Sequence, residues 1–517
     1  MIFLLYVSLL VVLYHIVKKL FSAPKSPNGF DNIPSIPSLE FIWAMFTGKP
    51  QDEIQGIISK VSDKGIIKAN AGTIAFFYLQ DVEYIKQFLT KSEDVLPKMK
   101  HGLGNRVKSF YGNGILFSNS HSWRMQRKLN NAAFNRALSH DIIGKNAFKL
   151  FNLMDYNLDK PINIYDMMQR TTIEILGQVA FAYEFGGLNS FEIPDIIKSY
   201  KYVMEQTENW LHILFPIMDH LPLESNKKYQ ENMNVFDNFI LNLIAQRRKE
   251  LKYQDKEKSD TTDNNLLSSM LELGEKEGIK IDSRELRDNL VNLFIAGHDS
   301  EYSFYARRIE LFLPFTLVKT LLLIFLATSL NMSVAIYHLA KFPEMQKKAR
   351  EEVIRVLGNA LTTPTSEQVK ELKYINAVIK ESLRTYPPLA ILIPRQPNDY
   401  VQVGPYMIPP DSYTCVNVWH VHHDPNIWEN PYQFDPERFL NGEKRHPYSF
   451  IPFSAGPRNC AGQNFSLMEQ RVLLSMILLK YEWTLPEDSI HKVKFCLDSN
   501  FLLKPKDLDV EIQFKRI

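Results

Sequence analysis

The chain has 517 residues, with 60 Lys+Arg against 58 Asp+Glu and a formal net charge of +2. Its 45% hydrophobic and 23% charged residues exclude a disordered chain, and the near-zero charge argues against a nucleic-acid partner. Cys415, Cys460 and Cys496 are too few and too scattered for a disulfide framework or a zinc cluster, which implies a reducing compartment.

The run from Ile2 to Val17 is apolar apart from Tyr6, Ser8, Tyr14 and His15, and Lys18 and Lys19 follow it. With the lysines snorkelling, residues 1–21 are long enough for one membrane anchor. The positive charge lies behind the apolar run, unlike a cleaved signal peptide, and keeps the rest of the chain cytosolic. A buried N-terminal helix is the plainer alternative. Pro24, Pro27, Pro34 and Pro37 make residues 22–50 a stiff linker.

Gly65 to Gln80 reads as two strands around a turn at Ala71-Gly72, and Asp81 caps a helix to about Thr90. From about 120 to 250 the pattern is helical, broken at Leu211 to Leu223 by Pro216 and Pro222. That apolar connector is either packed on the core or a second membrane contact. Lys252 to Asn265 reads as a surface loop. Asp282 and Glu285 form a capping box for a helix in which Leu286, Leu290, Leu293 and Phe294 recur at helical spacing. Beyond about 390 come short strands and Pro-rich turns, then a last helix near Asn464 to Leu479. The sum is an α-rich α+β fold.

The most informative stretch runs from Phe453 to Gly462, Phe-Ser-Ala-Gly-Pro-Arg-Asn-Cys-Ala-Gly. Gly456 and Gly462 permit positive φ and a close approach to a flat cofactor. Backbone N–H groups at the start of the following helix, with Arg458 nearby, would stabilise a Cys460 thiolate. A buried structural cysteine is the commoner fate of a cysteine taken alone. Five fixed positions in F-x-x-G-x-R-x-C-x-G, however, arise by chance in only about one of several thousand chains this long.

With this stretch the chain resembles the cytochrome P-450 superfamily, in its eukaryotic microsomal branch. The resemblance implies a mainly helical haem domain with a smaller β subdomain over 51–517, in place of the three domains that length alone suggests. It implies haem b as cofactor, with Cys460 as the axial iron ligand and Phe453, Gly456, Arg458 and Gly462 around it. Glu381 and Arg384 match the family's E-x-x-R, and Pro436-Glu437-Arg438-Phe439 its P-E-R-F. In the family Glu381, Arg384 and Arg438 would form a structural triad. Trp123 and Arg127, on one helical face, and Arg395 fall where the family binds haem propionates.

Ala296-Gly297-His298-Asp299-Ser300 begins the family's oxygen-activating helix, which resumes at Thr328. The resemblance makes Asp299, Ser300 and Thr328 the candidate proton-relay residues. Residues 301–327 resemble nothing in the family, and a membrane helix there would cut the haem site in two. The segment reads instead as a retained intron of 27 codons, or 81 bases, in frame. Ser-Glu-Tyr can be written AGT GAG TAT, which contains a splice donor. Leu-Ala can be TTA GCA, and rejoining would restore Ala-Gly-His-Asp-Thr-Thr-Ser. A true insertion is the alternative.

The resemblance thus implies a monooxygenase inserting one oxygen atom of dioxygen into a lipophilic fatty acid, sterol or xenobiotic. Electrons would come from a separate NADPH-cytochrome reductase, with cytochrome b5 as a further donor, at the endoplasmic reticulum membrane. A haem-thiolate isomerase or dehydratase of hydroperoxides, and a non-catalytic membrane relative inactivated by 301–327, are the rival readings.

Overall fold

Six residues rich in β-branched and aromatic side chains on either side of the turn make the first sheet, β1 (Ile66–Ala71) and β2 (Ile74–Leu79), antiparallel with Ile66 opposite Leu79. The computed structural model describes residues 33–36, 64–71, 74–92, 94–99, 104–136, 139–207, 209, 212, 216–253, 265–279, 281–295, 327–498 and 503–517. The expected anchor, most of the linker, Asp299, Ser300 and all of 301–327 except its last residue lie outside the described residues. Among the described residues no helix is long and apolar enough to cross a membrane. Residues 33–36, inside the expected linker, dock on β1: Ile36 N–H donates to Lys68 O at 2.9 Å and Lys68 N–H to Pro34 O at 2.8 Å. Ile33 and Ile36 are buried there, so this stretch is part of the body.

Asp81 caps α1 (Val82–Thr90), accepting from the N–H groups of Glu83 at 2.8 Å and Tyr84 at 3.0 Å. The helical body continues through α2 (Asn105–Tyr111), α3 (Ser120–Arg136) and α4 (His140–Asp155). After a short β3 (Ile162–Asn163) come α5 (Ile164–Phe181), α6 (Asp195–Thr207), a 3-10 turn at Pro216–His220 and α7 (Glu224–Tyr253). Then follow α8 (Leu266–Lys276), α9 (Ser283–Ile295), α10 (Ala327–Lys341), α11 (Pro343–Leu357), α12 (Ser366–Glu371) and α13 (Lys373–Thr385).

The C-terminal third holds β4 (Val401–Val403), β5 (Tyr406–Ile408), β6 (Tyr413–Val416), α14 (Val418–His423), a 3-10 turn at Pro436–Phe439 and α15 (Gln463–Lys480). It closes with β7 (Tyr481–Thr484), β8 (Leu497–Asp498), β9 (Lys504–Pro505) and β10 (Glu511–Arg516). One sheet has the order β1-β2-β6, with β6 parallel to β2, and another the order β3-β10-β7. The chain's two ends thus frame a helical interior, an α-rich α+β architecture.

The deepest helix is α10, buried at every residue from Ser329 to Ala340. A helix buried all round must satisfy its polar side chains internally. Asn331 Nδ2 donates to Gln470 Oε1 on α15 at 2.5 Å, and Tyr337 OH to His491 O at 2.9 Å.

Three local expectations change. Asp282 Oδ2 accepts from Arg284 N–H at 3.0 Å, but Glu285 accepts from Gln126 Nε2 on α3 at 3.0 Å, so a tertiary contact takes the place of the capping box. The helix α7 runs to Tyr253, two residues into the expected loop. In the connector after α6, Asp219 and His212 are tied to each other at 2.7 Å and Asp219 to Arg106 at 2.8 Å, while Ile217 is 66% exposed. Among the described residues of the connector, His212 and Asp219 are therefore held by polar contacts while Ile217 is exposed.

Candidate functional site

Between α3, α9, α10, the segment 388–393 and the stretch before α15 lies a cavity of about 1410 Å³ of empty space, its mouth included. Its lining is mostly apolar, with Leu116, Phe134, Leu392, Ile393 and Phe465 among the walls. Cys460, Phe453, Arg458 and Gly462 line it as well.

The stretch before α15 folds back on itself, with Cys460 N–H donating to Phe453 O at 2.9 Å. Gly456 has φ +73°, and a Cβ there would stand 2.5 Å from Leu89 O. Its close approach is therefore to the end of α1. Gly462 departs from expectation: its φ is −88°, an ordinary value, and it serves as the cap residue of α15. Burial raises the Cys460 thiol above its usual value. The N–H of Gly462, the charge of Arg127 and the N–H of Gln463 oppose this without overcoming it. Desolvation thus outweighs the nearby donors, so the helix and cation do not by themselves lower this thiol.

Arg458 does not act on the sulfur either. It donates to Ile115 O, Ser118 O and Asn119 Oδ1, at 3.3, 2.5 and 2.9 Å, and its guanidinium lies 4.5 Å from the Trp123 ring centroid. Arg127 is the cation beside Cys460, and it donates to Asn459 O at 2.6 Å and to Asn459 Oδ1. Trp123, Arg127 and Arg458 all line the cavity. Arg395 is buried next to them, 5.5 Å from the Phe88 ring centroid.

Lys98, which no motif announced, also lines the cavity. Burial lowers its pKa well below the usual range, and the charges of Arg395 and Arg458 lower it further. Three half-buried cations, Lys98, Arg127 and Arg458, therefore line this cavity, with the buried Arg395 close enough to act on Lys98.

Glu381, Arg384 and Arg438 come together as a buried network. Arg384 grips both oxygens of Glu381 at 2.7 Å, and Arg438 Nε donates to Glu381 Oε1 at 3.3 Å. The remaining guanidinium hydrogens reach the carbonyls of His422, Pro431, Glu429 and Asn430. This knot ties α13 to the 3-10 turn at Pro436–Phe439 and lies outside the cavity lining.

On the far wall Thr328 Oγ1 pairs with Ser466 Oγ at 2.7 Å, and Gln470 Nε2 donates to the same serine at 3.0 Å. Asn292 and Glu469 also face this cavity and were not anticipated. A polar residue on the apolar face of a core helix was the available signal for both. Burial alone raises the Glu469 carboxyl well above its usual value.

The family model described as Cytochrome P450 matches residues 33–302 and 317–512, so the match breaks inside the anomalous segment. The chain is 27% identical over 427 residues to Cytochrome P450 4X1 of Rattus norvegicus, covering 79% of this chain and 76% of that protein. It is 24% identical over 467 residues to Cytochrome P450 4V2 of Homo sapiens, covering 87% and 82%. It is 27% identical over 465 residues to Cytokinin hydroxylase of Arabidopsis thaliana, again covering 87% and 82%.

Proposed function

The chain belongs to the cytochrome P450 family, in general haem-thiolate monooxygenases that work with reductase partners, and from that premise we propose a membrane-anchored monooxygenase of lipophilic substrates in which Cys460 is the axial ligand. The observation that carries this reading is the donor set of the cavity. One cysteine sulfur faces an apolar space rimmed on one side by Lys98, Arg127 and Arg458. Such a set fits a flat, largely apolar group with two carboxylates and a metal that takes a thiolate.

Haem held through a thiolate supplies the activation of dioxygen and the transfer of one oxygen atom to substrate. The chain's part is to bind, orient and exclude water. Cys460 would hold the metal through its sulfur, with the N–H groups of Gly462 and Gln463 and the charge of Arg127 favouring the thiolate form against the cost of burial. Arg127, Arg458 and Lys98, with Trp123 packed beneath Arg458, hold the two carboxylates, and Arg395 adds charge behind them. The apolar walls keep water from the reacting centre. Asp299, Ser300 and Thr328 would be the residues that hold and relay protons beside the bound group, and Thr328 Oγ1 now pairs with Ser466 Oγ.

Residues 1–21 anchor the body to the endoplasmic reticulum membrane, with a separate NADPH-cytochrome reductase and cytochrome b5 as electron donors and haem b as the cofactor. Fatty acids, sterols and xenobiotics share the apolar character that the walls select. We read 301–327 as a retained intron; the break in the family match at 303–316 supports this for the middle of the segment, although the match itself takes in 301–302 and 317–327.

The test is a reduced, carbon monoxide-bound difference spectrum of the haem-loaded chain. A thiolate-type Soret band is expected, and Cys460→Ser should abolish it. A chain that takes up haem without that band overturns the assignment of Cys460.

A further inference from the structure

Asn119 stands immediately before α3, and its side-chain amide is fully engaged. Its Oδ1 accepts from Lys98 N–H at 2.8 Å and from Arg458 Nη2 at 2.9 Å. Its Nδ2 donates to Lys98 O at 3.1 Å and to Phe117 O at 3.2 Å. An amide has two donor hydrogens and two acceptor lone pairs, so all four places are filled. Two carbonyls at the nitrogen and two N–H donors at the oxygen also decide which way the amide is turned.

The backbone of Lys98 is thus gripped at both its N–H and its C=O, and Lys98 also forms an antiparallel bridge with Arg395. Lys98 and Arg458 line the cavity, whereas Asn119 lies outside the lining. Burial, and then the charges of Arg395 and Arg458, disfavour the charged form of Lys98, so these cations need a hold from elsewhere to stay together. We propose that Asn119 is a positioning residue that couples Lys98 to Arg458 and so fixes the spacing of the charges that receive the two carboxylates of haem. This rests on reading the cavity as the haem site. Cations already held in place lose little freedom when the anion arrives, and that saving appears as tighter binding.

The experiment loads the full chain with haem or with haem dimethyl ester, in which both carboxylates are masked. Loss of each group to an excess of apomyoglobin is followed by its Soret band. From the unaltered chain the ester should leave about tenfold faster than haem, on the scale of one charge-assisted hydrogen bond. Asn119→Leu should speed the loss of haem about tenfold and leave the loss of the ester little changed. Asn119→Ser, a milder truncation, should move the ratio of the two rates in the same direction. A merely structural residue would speed both losses alike, and that result, or an unchanged loss of haem, overturns the proposal. Equal loss of the two groups from the unaltered chain overturns it as well, and this needs no variant to fold. The carbon monoxide spectrum of the same samples separates the two claims. A thiolate band with unselective losses overturns the role of Asn119 alone. Selective losses without the band support that role and remove the assignment of Cys460.

Discussion

Arg127 holds both the backbone carbonyl and the side-chain oxygen of Asn459, the residue that immediately precedes Cys460. One guanidinium on α3 thereby fixes the approach of the chain to the sulfur, and the same charge acts on the thiol.

Lysine keeps that charge but cannot reproduce the two-pronged grip. Arg127→Lys should loosen the loop before α15 and speed haem loss by about tenfold, on the scale of one charge-assisted hydrogen bond. Transfer of haem to an excess of apomyoglobin measures this. An unchanged transfer rate would show that Asn459 needs no clamp.

The knot at Glu381 makes a different demand, because it is fully buried. Glu381→Gln leaves Arg384 and Arg438 charged in the interior and should cost about 3–5 kcal/mol. Arg124→Ala breaks only an exposed pair with Asp94 and should change little. Thermal unfolding of the two variants side by side checks the contrast. Equal melting temperatures would mean that the knot carries no special weight.

Acid should weaken the fold through its buried histidines, His338, His422 and His423 among them. His338, stacked 3.8 Å from Phe434, and His423 are each pushed by burial down to about 3. The unfolded chain binds these protons near 6.5 and the folded one does not. Stability is therefore full above pH 6.5 and declines as pH falls from there towards 3, by up to about 1.4 kcal/mol per unit for each histidine. His338→Phe should remove part of that slope between pH 7 and pH 5, read from urea midpoints. A slope that survives the substitution would place the acid sensitivity elsewhere.

Deleting 301–327 together with Ser300→Thr should raise haem bound per chain and the yield of soluble protein. The pyridine haemochrome assay on both forms decides this, and equal haem content counts against the intron. Transcript reads that all keep the 81 bases and lack the donor site would end it.

Features encoded within a few neighbouring residues were legible before any coordinates. Asp81 with its helix, the paired strands either side of Ala71-Gly72, and the order Glu381, Arg384, Arg438 all lie within short motifs. Contacts that depend on what packs across the interior were not. The thiol of Cys460 sits higher than helix and charge arguments allow, because burial cannot be read from ten residues. Arg458 looked like the sulfur's cation by adjacency, yet the carbonyls before α3 claim it. Lys98 joins the site from a stretch more than three hundred residues before the cysteine. Glu285 fits a local capping pattern, but Gln126 on another helix offers it a donor.

The docking of residues 33–36 on β1 shortens the leash. With the proposed anchor ending at Phe21, only residues 22–32 separate it from the docked stretch, a span of at most about 40 Å. A body of this length has a radius of gyration of about 23 Å and is wider than its own tether is long. It cannot roll over to offer its opposite side to the lipid. With that anchor, the edge of the β1-β2-β6 sheet would stay close to the bilayer, and a molecule dissolved in the hydrocarbon would meet the same side of the protein at every encounter.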